Sequence, residues 1–253
     1  MDDAQLLRYS RHLLLPELGV DAQRRFGEAH ALVIGVGGLG NPVAQFLAAA
    51  GIGTLTLVDA DSVDLTNLQR QTLFDTDAVG VAKVDAAARR LGAVNPEVRI
   101  VRVAARVADA ELAPLVAGAD IVIDCSDNFA TRHAINRACV SAQKPLVSGA
   151  AIRFEGQVAV FDARDPGGPC YHCLFAEGGD DFEETRCAVM GVFAPLVGII
   201  GATQAAEALK LIAPAGDSLA GRLLMLDALA MEWREVRVRK DPACPVCAIG
   251  AHR

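Results

Sequence analysis

Positive charge is scarce in this sequence of 253 residues. Lysine and arginine together number 24 against 31 aspartates and glutamates, which leaves a formal net charge of −7. A protein that holds nucleic acid by general electrostatics needs a basic face, so the composition argues against that class. The first residues, Met1-Asp2-Asp3-Ala4, are acidic where a secretory signal peptide would be basic, and we expect no such peptide.

The sequence also lacks an uninterrupted apolar segment that would cross a membrane. Two stretches without formal charge, 31–58 and 187–206, are long enough, but glycines interrupt both, and the polar Gln204 and Glu207 lie at the end of the second. We therefore expect buried helices, no membrane partner and a cytoplasmic location. With 52% hydrophobic and 22% charged residues, the chain is also no candidate for dominant disorder.

Short apolar runs alternate with runs of helical length over the first 150 residues. The predicted strands cover 31–35, 54–59, 98–103, 121–124 and 145–148, and the predicted helices cover 39–50, 79–91, 109–116 and 131–143. Such alternation predicts an α/β fold in which a parallel sheet is covered by helices on both faces.

The pattern changes after residue 148. Strands are predicted at 157–161, 221–227 and 233–239, with a loop at 162–184 and an apolar helix at 192–212. The last strand alternates valine with arginine, which is typical of a half-exposed strand. We expect one domain over 1–253, with a nucleotide-binding half at about 1–150 and a mixed-sheet half at about 151–253.

A glycine-rich turn follows the first predicted strand. Gly35, Gly37, Gly38 and Gly40 fit G-x-G-x-x-G and precede a predicted helix, which is the context that this motif requires. Glycines let the backbone approach a phosphate, and the helix N-terminus adds partial positive charge. Asp59 ends the next strand, where a carboxylate would bond ribose hydroxyls. The motif predicts a nucleotide site.

The motif alone does not choose the nucleotide, and NAD would be the default. Arg70 and Lys83 follow the second strand, and Asp127 follows the strand at 121–124. Loops at the C-terminal ends of such strands converge on one crevice, so the two cations would meet phosphates and Asp127 would hold Mg²⁺. Each residue alone would be interpreted as a surface charge, but together they favour ATP.

Seven segments together closely resemble the MoeB/ThiF/HesA family, the prokaryotic relatives of ubiquitin-activating E1 enzymes. They are Arg8-Tyr9-Ser10-Arg11-His12, the glycine turn 35–40, 59–71, 80–83, Asn95-Pro96, 124–128 and 145–149. The segment 147–157 is more similar to the molybdopterin-synthase branch than to the thiazole branch. The resemblance implies a Rossmann-like, mostly parallel sheet with a mixed-sheet C-terminal extension and a four-cysteine zinc site.

The resemblance implies acyl adenylation. The C-terminal glycine carboxylate of a small ubiquitin-like sulfur carrier, ending in Gly-Gly, attacks the α-phosphorus of Mg-ATP, and pyrophosphate leaves. Matching positions assign Gly38 to the phosphate loop, Asp59 to ribose and Asp127 to magnesium. The remaining nucleotide residues by this match are Asp61, Thr66, Asn67, Leu68, Gln69, Arg70, Gln71, Lys83 and Asn128. Arg11 matches an arginine that reaches the partner subunit's site, so a homodimer is expected.

Two Cys-x-x-Cys pairs, Cys170 with Cys173 and Cys244 with Cys247, have the spacing that lets two thiolates chelate one tetrahedral ion. A single pair would also suit a redox motif, but two pairs in one cytoplasmic chain favour one Cys₄ zinc site, and the resemblance agrees. His172 lies inside the first pair. Because four thiolates complete the tetrahedron, we expect that it is not a ligand.

Three cysteines remain. Cys187 lies beside Arg186 at the start of the apolar helix, two features that lower a thiol pKa. The resemblance leaves open whether it is a sulfur-transfer thiol, as in the thiazole branch, or takes no part in the reaction. Cys125 and Cys139, beside a strand and inside a helix, are expected to pack in the core.

Several alternatives stay open at this point. Activation of a carrier for thiamine or another sulfur pathway is the nearest. An NAD-dependent oxidoreductase, a zinc-stabilised binding module and a tRNA-modifying dehydratase are more distant. No rhodanese-like extension follows Arg253, so we expect a separate sulfur donor, either a cysteine desulfurase or a rhodanese.

Overall fold

The strands of this protein form one mixed sheet in a computed structural model that describes residues 1–177 and 191–248. Eight strands lie in the order β3-β2-β1-β4-β5-β6-β7-β8. Their bounds are β1 His30–Ile34, β2 Thr54–Val58, β3 Arg99–Val103, β4 Ile121–Asp124, β5 Pro145–Ile152, β6 Glu155–Asp162, β7 Arg222–Asp227 and β8 Glu232–Arg237. The pairs from β3 to β5 are parallel, and those from β5 to β8 are antiparallel. The predicted mixed α/β architecture is confirmed.

The helices of the described residues connect and cover these strands. They are α1 Asp3–Arg8, α2 Ser10–Leu13, α3 Gly19–Glu28, α4 Gly40–Ala50, α5 Lys83–Val94, α6 Asp109–Ala117, α7 Phe129–Ala142, α8 Tyr171–Leu174 and α9 Ala194–Ile212. Alternate residues of β1 point into different cores: Ala31 and Val33 belong to a cluster with α4, α5 and α9, whereas Leu32 and Ile34 belong to one with α6, α7 and α8. Helices therefore cover both faces.

The apolar helix α9 packs on this sheet, in contact with β5, β6 and α4. Among the described helices it alone is long and apolar enough to cross a membrane by length and composition. Two of its polar residues are buried and bonded: Gln204 Nε2 donates to Asp124 O at 2.8 Å, and Glu207 accepts from Leu219 N at 2.7 Å. The first bond ties α9 to the end of β4 at Asp124, and the second ties it to the segment before β7, as expected for a core helix.

One predicted helix starts later than expected. The sequence suggested 79–91, but a 3₁₀ turn covers Thr76–Ala78, and α5 begins at Lys83. Gly80 has a φ of +87°, and the N–H of Lys83 donates to the carbonyl of Asp61 at 2.9 Å. The chain at 79–82 therefore runs beside 61–63 before the helix starts.

The sequence did not predict α1 to α3. Neither α1 nor α2 buries a residue, so their sequences carry no apolar face from which to infer them. Tyr9, between the two, is the anchor: its hydroxyl donates to Glu97 Oε2 at 3.0 Å and accepts from Asn95 Nδ2 at 2.9 Å. The Asn95-Pro96 motif thus meets the N-terminal segment.

The final strand also differs from its prediction. It spans Glu232–Arg237, and all six residues are exposed instead of alternating. The strand pairs only with β7, and the described part of the chain leaves both of its faces open. Of the two valines that alternate with arginine, Val236 is exposed, whereas Val238, just past the strand, is partly buried against the core. The one-turn helix α8 lies in the segment predicted as loop.

Candidate functional site

The glycine turn joins β1 to α4, and its glycines serve two purposes. Gly35 has a φ of +90°, and a Cβ there would lie 2.6 Å from the Cys125 carbonyl oxygen, while a Cβ on Gly40 would clash with the Gly35 carbonyl. These two glycines are required by packing alone. A Cβ on Gly37 would meet only Gln71 Nε2, at 3.6 Å. Position 37 is therefore the open part of the turn.

Asp59 holds this turn in place. At the end of β2, its Oδ2 accepts from the N–H of Val36 at 2.7 Å and its Oδ1 from the N–H of Asp61 at 2.8 Å. A carboxylate has about four acceptor positions, so further hydrogen-bond donors can still be bound. The predicted nucleotide residue is thus also part of the scaffold.

Asn41 was missed by sequence reasoning. It is buried at the start of α4, where Nδ2 donates to the carbonyl of Val36 at 2.9 Å and Oδ1 accepts from the N–H of Leu73 at 2.9 Å. It joins the glycine turn to the segment that follows 67–71. A polar residue directly after the third motif glycine was the only sequence signal.

The segment 65–71 forms a tight turn beside the glycines. A 3₁₀ turn covers Leu65–Asn67, and Arg70 Nη1 donates to the carbonyl of Thr66 at 3.3 Å. Leu68 packs on the core, and Gln69 is exposed. Gln71 is buried, and its Oε1 has no hydrogen-bond partner in the described structure. An orphaned acceptor beside Gly37 fits a ligand that brings its own donors.

Lys83 is a charged residue that is buried beside the glycine turn. Its side chain is only 7% exposed, and Nζ bonds Asp61 Oδ2 at 2.8 Å, while Asp61 is 60% exposed. Lysine is seldom buried unless it is paired or has a function. The pairing places an ammonium group beside the end of β2.

Asp127 and Asn128 follow β4. Asn128 Oδ1 accepts from the N–H of Thr131 at 2.8 Å and so caps α7, a role that the sequence analysis did not assign. Asp127 is exposed, and its Oδ1 lies 3.5 Å from Asn128 Nδ2. Its oxygens remain accessible to a cation.

These loops share one edge of the sheet, because β2, β1 and β4 are parallel neighbours. Among the described residues of these loops, two cationic side chains, Arg70 and Lys83, accompany the carboxylates of Asp59, Asp61 and Asp127. A triphosphate would meet more negative than positive side-chain charge. Within residues 1–177 and 191–248, the crevice thus lacks the excess of cations that would offset the charge of that ligand.

Arg11 lies on α2 and is exposed. Its guanidinium forms no hydrogen bond or ion pair within residues 1–177 and 191–248. Two cavities of about 140 and 240 Å³ are lined by other residues: one lies between Phe74 and Arg89, the other between Tyr9 and Gln23. The candidate nucleotide site is thus a crevice outside both.

The second candidate site is a cluster of the four paired cysteines. Sγ distances are 3.9 Å from Cys170 to Cys173, 3.7 Å from Cys170 to Cys244 and 3.5 Å from Cys173 to Cys247. Zn–S bonds of about 2.3 Å in a tetrahedron require sulfurs about 3.8 Å apart. The cluster fits zinc, as the two Cys-x-x-Cys pairs predicted, and it leaves no ligand position open.

Backbone and side-chain donors surround these sulfurs. Asp241 N donates to Cys173 Sγ at 3.5 Å, and Asn136 Nδ2 donates to Cys170 Sγ at 3.6 Å. Burial and the neighbouring thiols raise the pKa of Cys247. His172 lies outside the cluster and packs edge-on against His133, 5.6 Å between ring centroids.

The other two described cysteines lie in the core. Cys125 and Cys139 are buried, and burial raises the pKa of both thiols well above the ordinary value. The expectation that they pack in the core is confirmed. Cys187 lies outside the described residues.

Comparisons with known proteins match nearly the whole chain. A sequence model of the ThiF family matches residues 9–246. Over 247 residues the chain is 45% identical to the molybdopterin-synthase adenylyltransferase of Escherichia coli, covering 98% of each. It is 40% identical over 247 residues to the sulfur carrier protein ThiS adenylyltransferase of Escherichia coli, covering 98% of this chain and 97% of that protein. A crystal structure of Escherichia coli MccB with ATP has a TM-score of 0.84 at 27% identity, over 95% of this chain and 73% of that one.

Proposed function

The chain belongs to the ThiF family and is a nucleotidyltransferase of the adenylyltransferase kind, and we propose that it serves molybdopterin cofactor biosynthesis. Its substrates are ATP and a ubiquitin-like sulfur carrier that ends in Gly-Gly. The identity to a molybdopterin-synthase adenylyltransferase, 45%, exceeds the 40% to a ThiS adenylyltransferase, which supports this pathway. Carrier activation for thiamine is the alternative.

In the proposed reaction, the terminal glycine carboxylate of the carrier attacks the α-phosphorus of ATP. A carrier acyl-adenylate forms, and pyrophosphate leaves. Two anions must meet, so cations that offset their repulsion accelerate the step. Arg70 and Lys83 bind the triphosphate, and the open turn at Gly37 admits phosphate oxygens. Asp59 bonds ribose while holding Val36, as its two bonds to the turn allow.

The observation that carries the proposal is the buried lysine. Lys83 is held by an exposed aspartate beside the glycine turn, in a place where a dinucleotide site needs no ammonium group. Phosphate oxygens would compete with Asp61 for Nζ. The remaining proposed nucleotide contacts are Gly35, Gly38, Gly40, Asp61, Thr66, Asn67, Leu68, Gln69, Gln71 and Asn128.

The excess of carboxylates in the crevice supports two further proposals. Asp127, with accessible oxygens, holds Mg²⁺, which bridges phosphates and offsets their charge. Arg11 acts in the crevice of a second subunit in a homodimer. Helices α1 and α2 support that surface, because neither buries a residue, and Leu7 on α1 and Leu14 just after α2 are exposed.

Zinc is proposed for the four cysteines, where it staples the C-terminal turn to α8. Because the ligand set is closed, the metal has no place in the chemistry. We further propose one domain with a carrier- and zinc-binding half after residue 150, a cytoplasmic location and a separate sulfur donor. Cys187 is proposed as a thiol for sulfur transfer after adenylation.

The test is exchange of labelled pyrophosphate into ATP by the full chain with Mg²⁺. Exchange is expected with an intact molybdopterin-type carrier and absent with the same carrier lacking its Gly-Gly. A ThiS-type carrier distinguishes the pathways. Failure with every carrier, together with tight NAD binding, would contradict the proposal.

A further inference from the structure

Helix α7 contacts both candidate sites. At its start, the cap Asn128 follows Asp127, and Arg132 Nη2 donates to the carbonyl of Ser126 at 2.8 Å. Two turns later the same helix reaches the cysteine cluster through Asn136. At 1.5 Å per residue, Asn128 and Asn136 are about 12 Å apart along the helix axis.

Asn136 uses both ends of its side-chain amide on the first Cys-x-x-Cys pair. Its Oδ1 accepts from the N–H of Tyr171 at 3.0 Å, and its Nδ2 donates to Cys170 Sγ at 3.6 Å. The residue is 1% exposed, so water does not compete for these bonds. A metal-bound cysteine sulfur carries negative charge, which such a donor stabilises.

His133, one turn before Asn136 on α7, strengthens this contact. His133 packs edge-on against the Tyr171 ring, with centroids 5.3 Å apart, and Tyr171 is fully buried. Helix α8 therefore rests on two consecutive turns of α7. A shift of Cys170 would move Tyr171, and the packing would pass that movement to α7.

We propose that Asn136 is a positioning residue that fixes Cys170 for the metal and ties the occupied cluster, through α7, to the loop that carries Asp127. Metal retention is independent of the reaction, whereas the link to Asp127 rests on the adenylation proposed above. An asparagine that served only local packing would alter stability without altering metal retention.

The first test is zinc release from the full-length holoprotein to a coloured chelator. Asn136→Asp keeps the acceptor for Tyr171 but replaces the N–H donor with an oxygen, and Asn136→Ala removes both. Ile135→Val, a buried neighbour on the same helix, is the matched control. Release about 10–100-fold faster in the folded Asn136 variants, with the control unchanged, is expected.

Zinc release from either Asn136 variant that folds decides whether Asn136 fixes Cys170 for the metal. Zinc release at the rate of Ile135→Val would overturn that role. The N–H···S bond would then have no influence on the metal, whatever the melting temperature of the variant.

The second test titrates Mg²⁺ in pyrophosphate exchange with zinc-saturated proteins. In the Asn136 variants the Mg²⁺ concentration for half-maximal exchange should rise about threefold or more, with Ile135→Val at the wild-type value. An unchanged value overturns the link to Asp127. If the wild type shows no carrier-dependent exchange, the proposed function and that link both fail, and the zinc-release result is unaffected.

Discussion

The cysteine cluster and the nucleotide crevice are assembled in opposite ways. The cluster brings four ligand atoms of one chain within 4.8 Å of one another, at distances that a tetrahedral metal requires. In the crevice, each of the two cations has a separate partner: Lys83 is paired with Asp61, and Arg70 bonds the carbonyl of Thr66 in its own turn. The four ligand atoms of the cluster all come from one chain, whereas we propose that the crevice is completed by its ligands and by Arg11 of a second subunit.

The largest effect is expected from Cys244→Ser, because it removes one of four thiolate ligands. Bound zinc should fall from one per chain to nearly none, and unfolding should become easier by several kcal/mol, or about 10 °C in Tm. Metal analysis and calorimetry measure both. Cys139→Ala, a buried cysteine outside the cluster, should retain zinc, and a Cys244→Ser protein that also retained it would refute the site.

Lys83→Ala should be next in size. Loss of one buried cation from a charge-stabilising site typically lowers the rate about 10²–10³-fold. Asp61 is left unpaired but hydrated, so the fold and the zinc content should persist. Pyrophosphate exchange measures the rate, with Lys144→Ala as the control. Nearly normal exchange by Lys83→Ala would remove this residue from the triphosphate site.

Arg11→Ala should reduce exchange by a smaller factor, about 10–100-fold, because this side chain is exposed. If Arg11 acts in a partner's crevice, mixing Arg11→Ala with Lys83→Ala subunits should restore activity, since one crevice per mixed dimer is then intact. Arg8→Ala is the matched exposed control. Mixtures that stayed as inactive as their components would show that Arg11 acts within its own chain or in no crevice.

The smallest effect is expected from Asp162→Asn, at the end of β6 in the antiparallel half of the sheet, and it changes the pH dependence of stability. Burial raises the pKa of the Asp162 carboxyl, but hydrogen bonds from the Arg164 side chain and backbone outweigh it and hold the pKa below its ordinary value. A depressed pKa in the folded protein contributes stability above the unfolded pKa, which is lost as pH falls through the folded pKa. The pair is partly exposed, so Asp162→Asn should cost less than about 1 kcal/mol at neutral pH.

Chemical denaturation at pH 7 and at pH 3 measures this effect. The difference between wild type and Asp162→Asn should shrink at the lower pH, while exchange at pH 7 stays normal. A difference that grew toward acid would mean that the carboxylate is not stabilised by Arg164.

Local patterns predicted those features that depend on neighbouring residues. The glycine turn, Asp59 and the two Cys-x-x-Cys pairs could be found because motif spacing specifies them. Residues whose partners are distant in sequence could not: Asn41 bonds Leu73, and Asn136 bonds Cys170. A single asparagine in a helical pattern carries no sign of such a partner.

Contacts between residues distant in sequence also explain why some predicted helix bounds were wrong. Helix α5 begins at Lys83 because residues 61–63 pair with the preceding segment, a tertiary contact that outweighs local helical pattern. The N-terminal helices α1 and α2 bury no residue, so they lack the periodic buried face on which a helix prediction depends.

The most direct measurement of the central claim is the fate of a label in the α-phosphate of ATP. With the full chain, Mg²⁺ and an intact carrier, the label should appear on the carrier C-terminus as one AMP per carrier, while a γ-label leaves in pyrophosphate. A carrier that stays unlabelled while ATP is consumed, or that acquires the γ-label, would contradict adenylation by this protein.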